Sequence, residues 1–236
     1  MRRLTPVVLA TALLAGGCGN GARNELAKTA DNVGKIRGGT ISFSLLVSPR
    51  TKLARNRFGF RLRGPFAFGE RPTAHVDYTQ IANGHEATAT LVLTRSGGYA
   101  VANGKRRTLS SSQLAELRDA ASAARHGLSV DVSDWVKSAK RCGDHCVEGD
   151  LDAAAAISTL LQYTGSKASL TDTEQKEVAR ATHATYRAVS TGDHLLRSLV
   201  VHADLALAAP SQLRAALGAL VGATVDLKLA IANPRT

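Results

Sequence analysis

Residues 38–49 read GGTISFSLLVSP, and the change of period inside this stretch decides the fold. Upstream of it, Leu26, Ala30, Val33 and Ile36 recur at helical spacing. They predict a helix over residues 23–37 that Gly38-Gly39 ends. Inside the stretch, Ile41, Phe43, Leu45 and Val47 alternate with Ser42, Ser44, Leu46 and Ser48. Successive side chains of a strand point to opposite faces, so this is a strand with one apolar face.

The same alternation runs on to about residue 109. Phe58, Phe60 and Leu62 alternate with Gly59, Arg61 and Arg63. Ala74, Val76 and Tyr78 alternate with His75, Asp77 and Thr79. Ala87, Ala89, Leu91 and Leu93 follow, and Tyr99 and Val101 lead to the turn dipeptide Asn103-Gly104. Hairpin-length links between such strands make an antiparallel meander. A second ladder closes the chain. ATYRAVSTGDHLLRSLVVHADLAL (residues 184–207) predicts a hairpin around Thr191-Gly192-Asp193, with Leu195, Leu199, Val201, Ala203, Leu205 and Leu207 on one face. Val225, Leu227, Leu229 and Ile231 mark the last strand.

Helices lie between the ladders. Ser110 with Gln113 and Thr171 with Glu174 are capping boxes. A helix is expected from about Asp152 to Gln162, another from about Asp172 to Arg180, and a third after Pro210. DVSDWVKSAK (131–140) is ambiguous, with Trp135 expected to anchor something buried. The apolar strand faces need covering. The fold class expected is therefore α+β: one large curved antiparallel sheet, a half-barrel of about 8–11 strands by the pattern count, with helices packed on its concave face.

The N-terminus sets the compartment. Arg2 and Arg3 precede an apolar run from Leu4 to Ala15, too short for a membrane span and of the length of a signal h-region. It ends in LLAGGC, which resembles a bacterial lipobox with Ala15 where a larger apolar residue is usual. The resemblance implies that residues 1–17 are a signal peptide removed by the general secretory route. Cys18 then becomes a lipidated, palmitate-type anchor, residues 18–25 form the anchor and tether, and residues 26–236 form a single domain. Ordinary cleavage near Ala15 or Gly17 is the alternative, and it exports the chain equally.

Export decides how Cys142 and Cys146 are read. An even pair of cysteines in an oxidising compartment is a disulfide candidate. Bridged Cα atoms lie about 4.4–6.8 Å apart, so the chain must turn at Gly143-Asp144. The pair is expected to staple a hairpin tip. A zinc site using Cys142, His145 and Cys146, or redox-active or free thiols, are the alternatives; no fourth zinc ligand is visible nearby, and the spacing is C-x-x-x-C where thioredoxin-type chemistry uses C-x-x-C.

Cleavage before Cys18 leaves 28 basic against 19 acidic residues. The charges are dispersed, only ten residues are aromatic, and export argues against nucleic acid as a partner. No G-x-S-x-G, H-E-x-x-H, P-loop or G-x-G-x-x-G is present. The histidines at 75, 85, 126, 145, 183, 194 and 202 are scattered, with His75 and His202 on polar strand faces. Glu148, Asp150 and Asp152 alternate and could bind calcium, but a solvated strand edge explains them. No catalytic residue, no resident metal and no cofactor is expected.

The order of lipobox, tether, helix, strand ladder, helices and second ladder resembles the actinobacterial LppX/LprA/LprF/LprG lipoproteins, which share the fold of the LolA/LolB carriers. AKTADNVGKIRGGTISFSL (27–45) and YRAVSTGDHLLRSLVV (186–201) carry the local likeness. The resemblance implies a lipid- or glycolipid-binding, non-enzymatic lipoprotein at the outer face of the cell membrane, held there by Cys18 and expected to be a monomer. A membrane transporter or another envelope protein would be its partner. The cavity would be lined by Ile41, Phe43, Leu45, Phe58, Phe60, Leu62, Val76, Tyr78, Leu91, Leu93, Leu199, Val201, Leu205, Leu227, Leu229 and Ile231. Filled by helices, the same residues would be plain core, and the chain an envelope scaffold or sensor for a protein partner.

Overall fold

The computed structural model describes residues 18–49, 57–82, 84–125, 135–156, 172–205 and 222–236. GGTISFSLLVSP is strand β1 (Gly38–Pro49). The meander continues as β2 (Phe58–Ala67), β3 (Thr73–Ala82), β4 (His85–Leu93), β5 (Gly98–Ala102) and β6 (Lys105–Thr108). The second ladder is β7 (Lys140–Gly143), β8 (Cys146–Asp150), β9 (Thr182–Ser190), β10 (Leu196–Leu205) and β11 (Ala223–Arg235). All lie in one open 11-stranded sheet in the order β6-β5-β4-β3-β2-β1-β11-β10-β9-β8-β7. Every pairing is antiparallel. The first and last strands pair along their length, Ile41 opposite Ile231 and Leu45 opposite Leu227, and weld the two ladders into one sheet.

Register puts the apolar sets of neighbouring strands on one face. Phe43 lies between Leu62 and Leu229; Leu45 lies between Phe60 and Leu227. Gly59 and Gly64 let β2 run close to both neighbours. A Cβ at Gly59 would overlap the Leu45 carbonyl, and one at Gly64 the His75 carbonyl.

Helix α1 (Cys18–Val33) already includes residues 18–22, upstream of the expected residue 23, so the expected tether of residues 18–25 is helical. The reason is close packing of a small residue: Ala22 is fully buried against Val147, Tyr186 and Ala188 of the apolar face. The helix also stops at Val33, short of the expected residue 37. Ile36 is instead a buried link residue packed with Phe66, Leu195, Leu196 and Ile231. Helix α2 (Ser111–Arg125) opens on the predicted capping box: Gln113 N donates to Ser110 Oγ and Ser110 N to Gln113 Oε1 (3.3 and 3.0 Å). Helix α3 (Asp172–Ala181) runs directly into β9. Asp152 starts the helix expected there, accepting from Ala154 N and Ala155 N at 3.0 Å. The rest of that helix, Thr171 and the helix after Pro210 lie outside the described residues.

Candidate functional site

The apolar face is continuous across the middle of the sheet. Following the register from β8 through β9, β10, β11, β1, β2, β3 and β4 to β5, the positions on this face carry no Asp, Glu, Lys or Arg. Charge returns only on the edge strands, at Lys105 and Arg107 of β6 and Arg141 of β7. Edge charges of this kind also discourage sheet-to-sheet association.

The face is closed in some places and open in others. Val76, Leu93 and Ile231 are buried. Leu199 and Val201 pack against the buried cluster under α1, and Ile41 and Leu229 against the cluster around Ile36. Phe43, Leu45, Phe58, Phe60, Leu62, Leu91 and Leu227 are only partly covered, and Tyr78 is 39% exposed. The Phe43, Phe60 and Tyr78 rings form a row across β1, β2 and β3, with centroids 5.4 and 5.8 Å apart and tilted planes. The side chain of Leu205 lies outside those the structure describes.

The opposite face is polar. His202 Nδ1 bonds Asp226 Oδ1 at 2.8 Å, and Asp204 lies 3.7 Å from its Nε2. The hydrogen bond that His202 donates to Asp226 holds the imidazole above its ordinary pKa, against a smaller opposing effect of burial. A cleft of about 440 Å³ on this face is lined by Lys140, Glu148, Asp150, Arg187 and His202 among others. Glu148 and Asp150 form no calcium set. Glu148 pairs with Lys140 at 3.2 Å, Asp150 accepts from Ser138 Oγ at 2.8 Å, and Asp152 is a helix cap.

Cys142 and Cys146 are bridged, with Cα atoms 5.1 Å apart across the β7–β8 tip. The bridge removes both thiolates from any zinc set. His145, between them, faces α1, where Glu25 and His194 meet it. Burial would raise the Glu25 carboxyl, but hydrogen bonds from His194 and Ser190, with His145 nearby, outweigh it and hold it below the ordinary carboxylate range. This cluster joins three elements far apart in sequence. One local signal marks it: Gly143-Asp144-His145 and Gly192-Asp193-His194 are the same tripeptide, each at a hairpin turn.

No protein-family model matches the sequence, and no curated protein does. Among the described residues no helix is long and apolar enough to cross a membrane. Two solved structures, both of proteins of the group that its sequence resembles, align with most of this chain at low identity. LprF from Mycobacterium bovis aligns over 94% of this chain and 97% of its own, at 14% identity and a TM-score of 0.47. The Mycobacterium tuberculosis lipoprotein LppX aligns over 92% of this chain and 98% of its own, at 12% identity and a TM-score of 0.39.

Proposed function

We propose that the chain is an exported, Cys18-anchored envelope lipoprotein that binds or transfers lipids or glycolipids and catalyses no reaction. One observation carries this reading: a charge-free apolar face whose central side chains, Phe43, Phe60, Leu62 and Tyr78, are left partly uncovered. A contiguous apolar surface left partly open is a candidate for a partner. An acyl chain suits it, since each buried CH₂ contributes about 0.8 kcal/mol and needs no polar partner. The anchor would hold the protein at the outer face of the cell membrane, where a transporter or another envelope protein loads or unloads it. The charged outer cleft, with Lys140, Glu148, Asp150 and Arg187, favours a second reading, an envelope scaffold or sensor that docks a protein partner.

The test is native mass spectrometry of residues 19–236, repeated after solvent extraction. Adducts of acyl-lipid mass at one per chain, lost on extraction, support the carrier. A clean apoprotein mass that stays unchanged after incubation with envelope lipids overturns it and favours the scaffold.

A further inference from the structure

We propose that Glu25, His145 and His194 form a binding site for one divalent cation of the zinc class, with the fourth position open to solvent. Two imidazoles and a carboxylate are the donor set of borderline cations, and three protein ligands leave one position free. Each ligand comes from a different element: Glu25 from α1, His145 from the β7–β8 turn, His194 from the β9–β10 turn. Glu25 Oε1 lies 2.9 Å from His194 Nδ1 and 3.5 Å from His145 Nδ1. All three ligand atoms lie within 4.8 Å of one another. Metal–ligand bonds of about 2.1 Å in a tetrahedron set the ligand atoms about 3.4 Å apart. Small side-chain rotations therefore suffice.

Two further features are those of a built site. Both histidines sit in left-handed backbone conformation, at φ 54° and 57°. A side chain in that region is uncommon, and its recurrence at two facing turns aims both rings at one carboxylate. Their surroundings then fix the three groups. Ser190 Oγ donates to Glu25 Oε1 (3.1 Å), and Ser190 N donates to the His145 carbonyl (2.9 Å). The Cys142–Cys146 bridge closes the turn that presents His145. Such outer contacts orient ligands and support affinity. Glu25 is mostly sheltered (14% exposed), while His145 (43%) and His194 (27%) leave a path for the ion. A bound cation would clasp α1 onto the tips of both hairpins.

The experiment uses the full chain in detergent after chelator stripping. Co²⁺ is titrated with visible detection, and Zn²⁺ competes against a chromophoric chelator. One equivalent of Zn²⁺ displacing four-coordinate Co²⁺ is expected. Glu25→Gln, His145→Ala and His194→Ala should each weaken Zn²⁺ at least about 100-fold, and Ser190→Ala about tenfold, outer partners being worth about 10–100-fold. His75→Ala and His183→Ala, on the far side of the sheet or at its rim, should match the parent. Should a ligand variant fail to fold, imidazole NMR of the parent decides: two of its seven histidines must respond at one equivalent. Absence of saturation, a response spread over other histidines, or ligand variants that bind like the parent overturn the site and leave a hydrogen-bonded clasp.

Discussion

Tyr186 and Tyr78 lie on the same face of the same sheet and meet opposite surroundings. Tyr186, on β9, is 5% exposed, shares a buried cluster with Ala22 of α1, and donates its hydroxyl to the Ser138 carbonyl at 3.1 Å. Its burial raises the phenol above its ordinary pKa. Tyr78, on β3, is 39% exposed at the end of an aromatic row. Both strands show the same period of two. The pattern says which way a side chain points and leaves open what it meets there. That second fact separates a closed core from an open apolar surface, and it depends on a helix remote in sequence.

The sharpest way to break this comparison is to truncate its closed side. Tyr186→Ala should cost about 3–5 kcal/mol, as for other large buried aromatics. Urea unfolding monitored by circular dichroism reads it. A cost below about 0.5 kcal/mol, the level of an ordinary surface change, would mean that α1 does not seal this end. The disulfide lies on the same side and should contribute less. Replacing both Cys142 and Cys146 with Ala should cost about 2 kcal/mol, because the closed ring is short. The loss should appear first as faster amide exchange in β7 and β8, with β1–β4 unchanged.

The open side should respond differently. Phe60→Ala removes the middle ring of the Phe43–Phe60–Tyr78 row. Its stability cost should stay near the value of such ring contacts, about 0.5–1.5 kcal/mol. On the carrier reading the variant also loses its acyl-lipid adduct. A cost equal to that of Tyr186→Ala, with no change in bound lipid, would show that the open side is packed core after all.

How much of this was legible beforehand follows from the same contrast. GGTISFSLLVSP marked the central strand, and alternation marked its apolar face, because side-chain direction is a local property of a strand. Asn103-Gly104 marked its turn for a local reason too: both residues sit at positive φ. The bridge at the β7–β8 tip was readable because the signal-like N-terminal sequence and the spacing together constrain two cysteines. The start of α1 was not. Gly19, Gly21 and Ala22 read as a tether, and only the closeness of Val147 and Tyr186 makes Ala22 a packing residue. The Glu25–His145–His194 cluster was equally hidden, since His145 and His194 become neighbours only when β8 and β9 pair. Its trace in the sequence is a repeated Gly-Asp-His, which carries meaning once both copies are known to be turns.

The smallest effect lies behind the sheet and tests whether the polar face takes part at all. On β10, Val201 points to the apolar side while His202 points outward to Asp226 and Asp204. The folded state raises the His202 pKa above 6.5, chiefly through the Asp226 hydrogen bond. A raised histidine pKa contributes stability that is full below about 6.5 and is lost as pH rises through the folded value. The side chain is 44% exposed, so screening should keep the contribution below about 1 kcal/mol. Stability measured at pH 5.5 and 8.5 should therefore fall slightly more in the parent than in Asp226→Asn. Reading the difference between the two proteins removes the other histidines, including those at Glu25. Equal slopes would mean that solvent screens the pair completely, and that what distinguishes one end of this sheet from the other is confined to its apolar face.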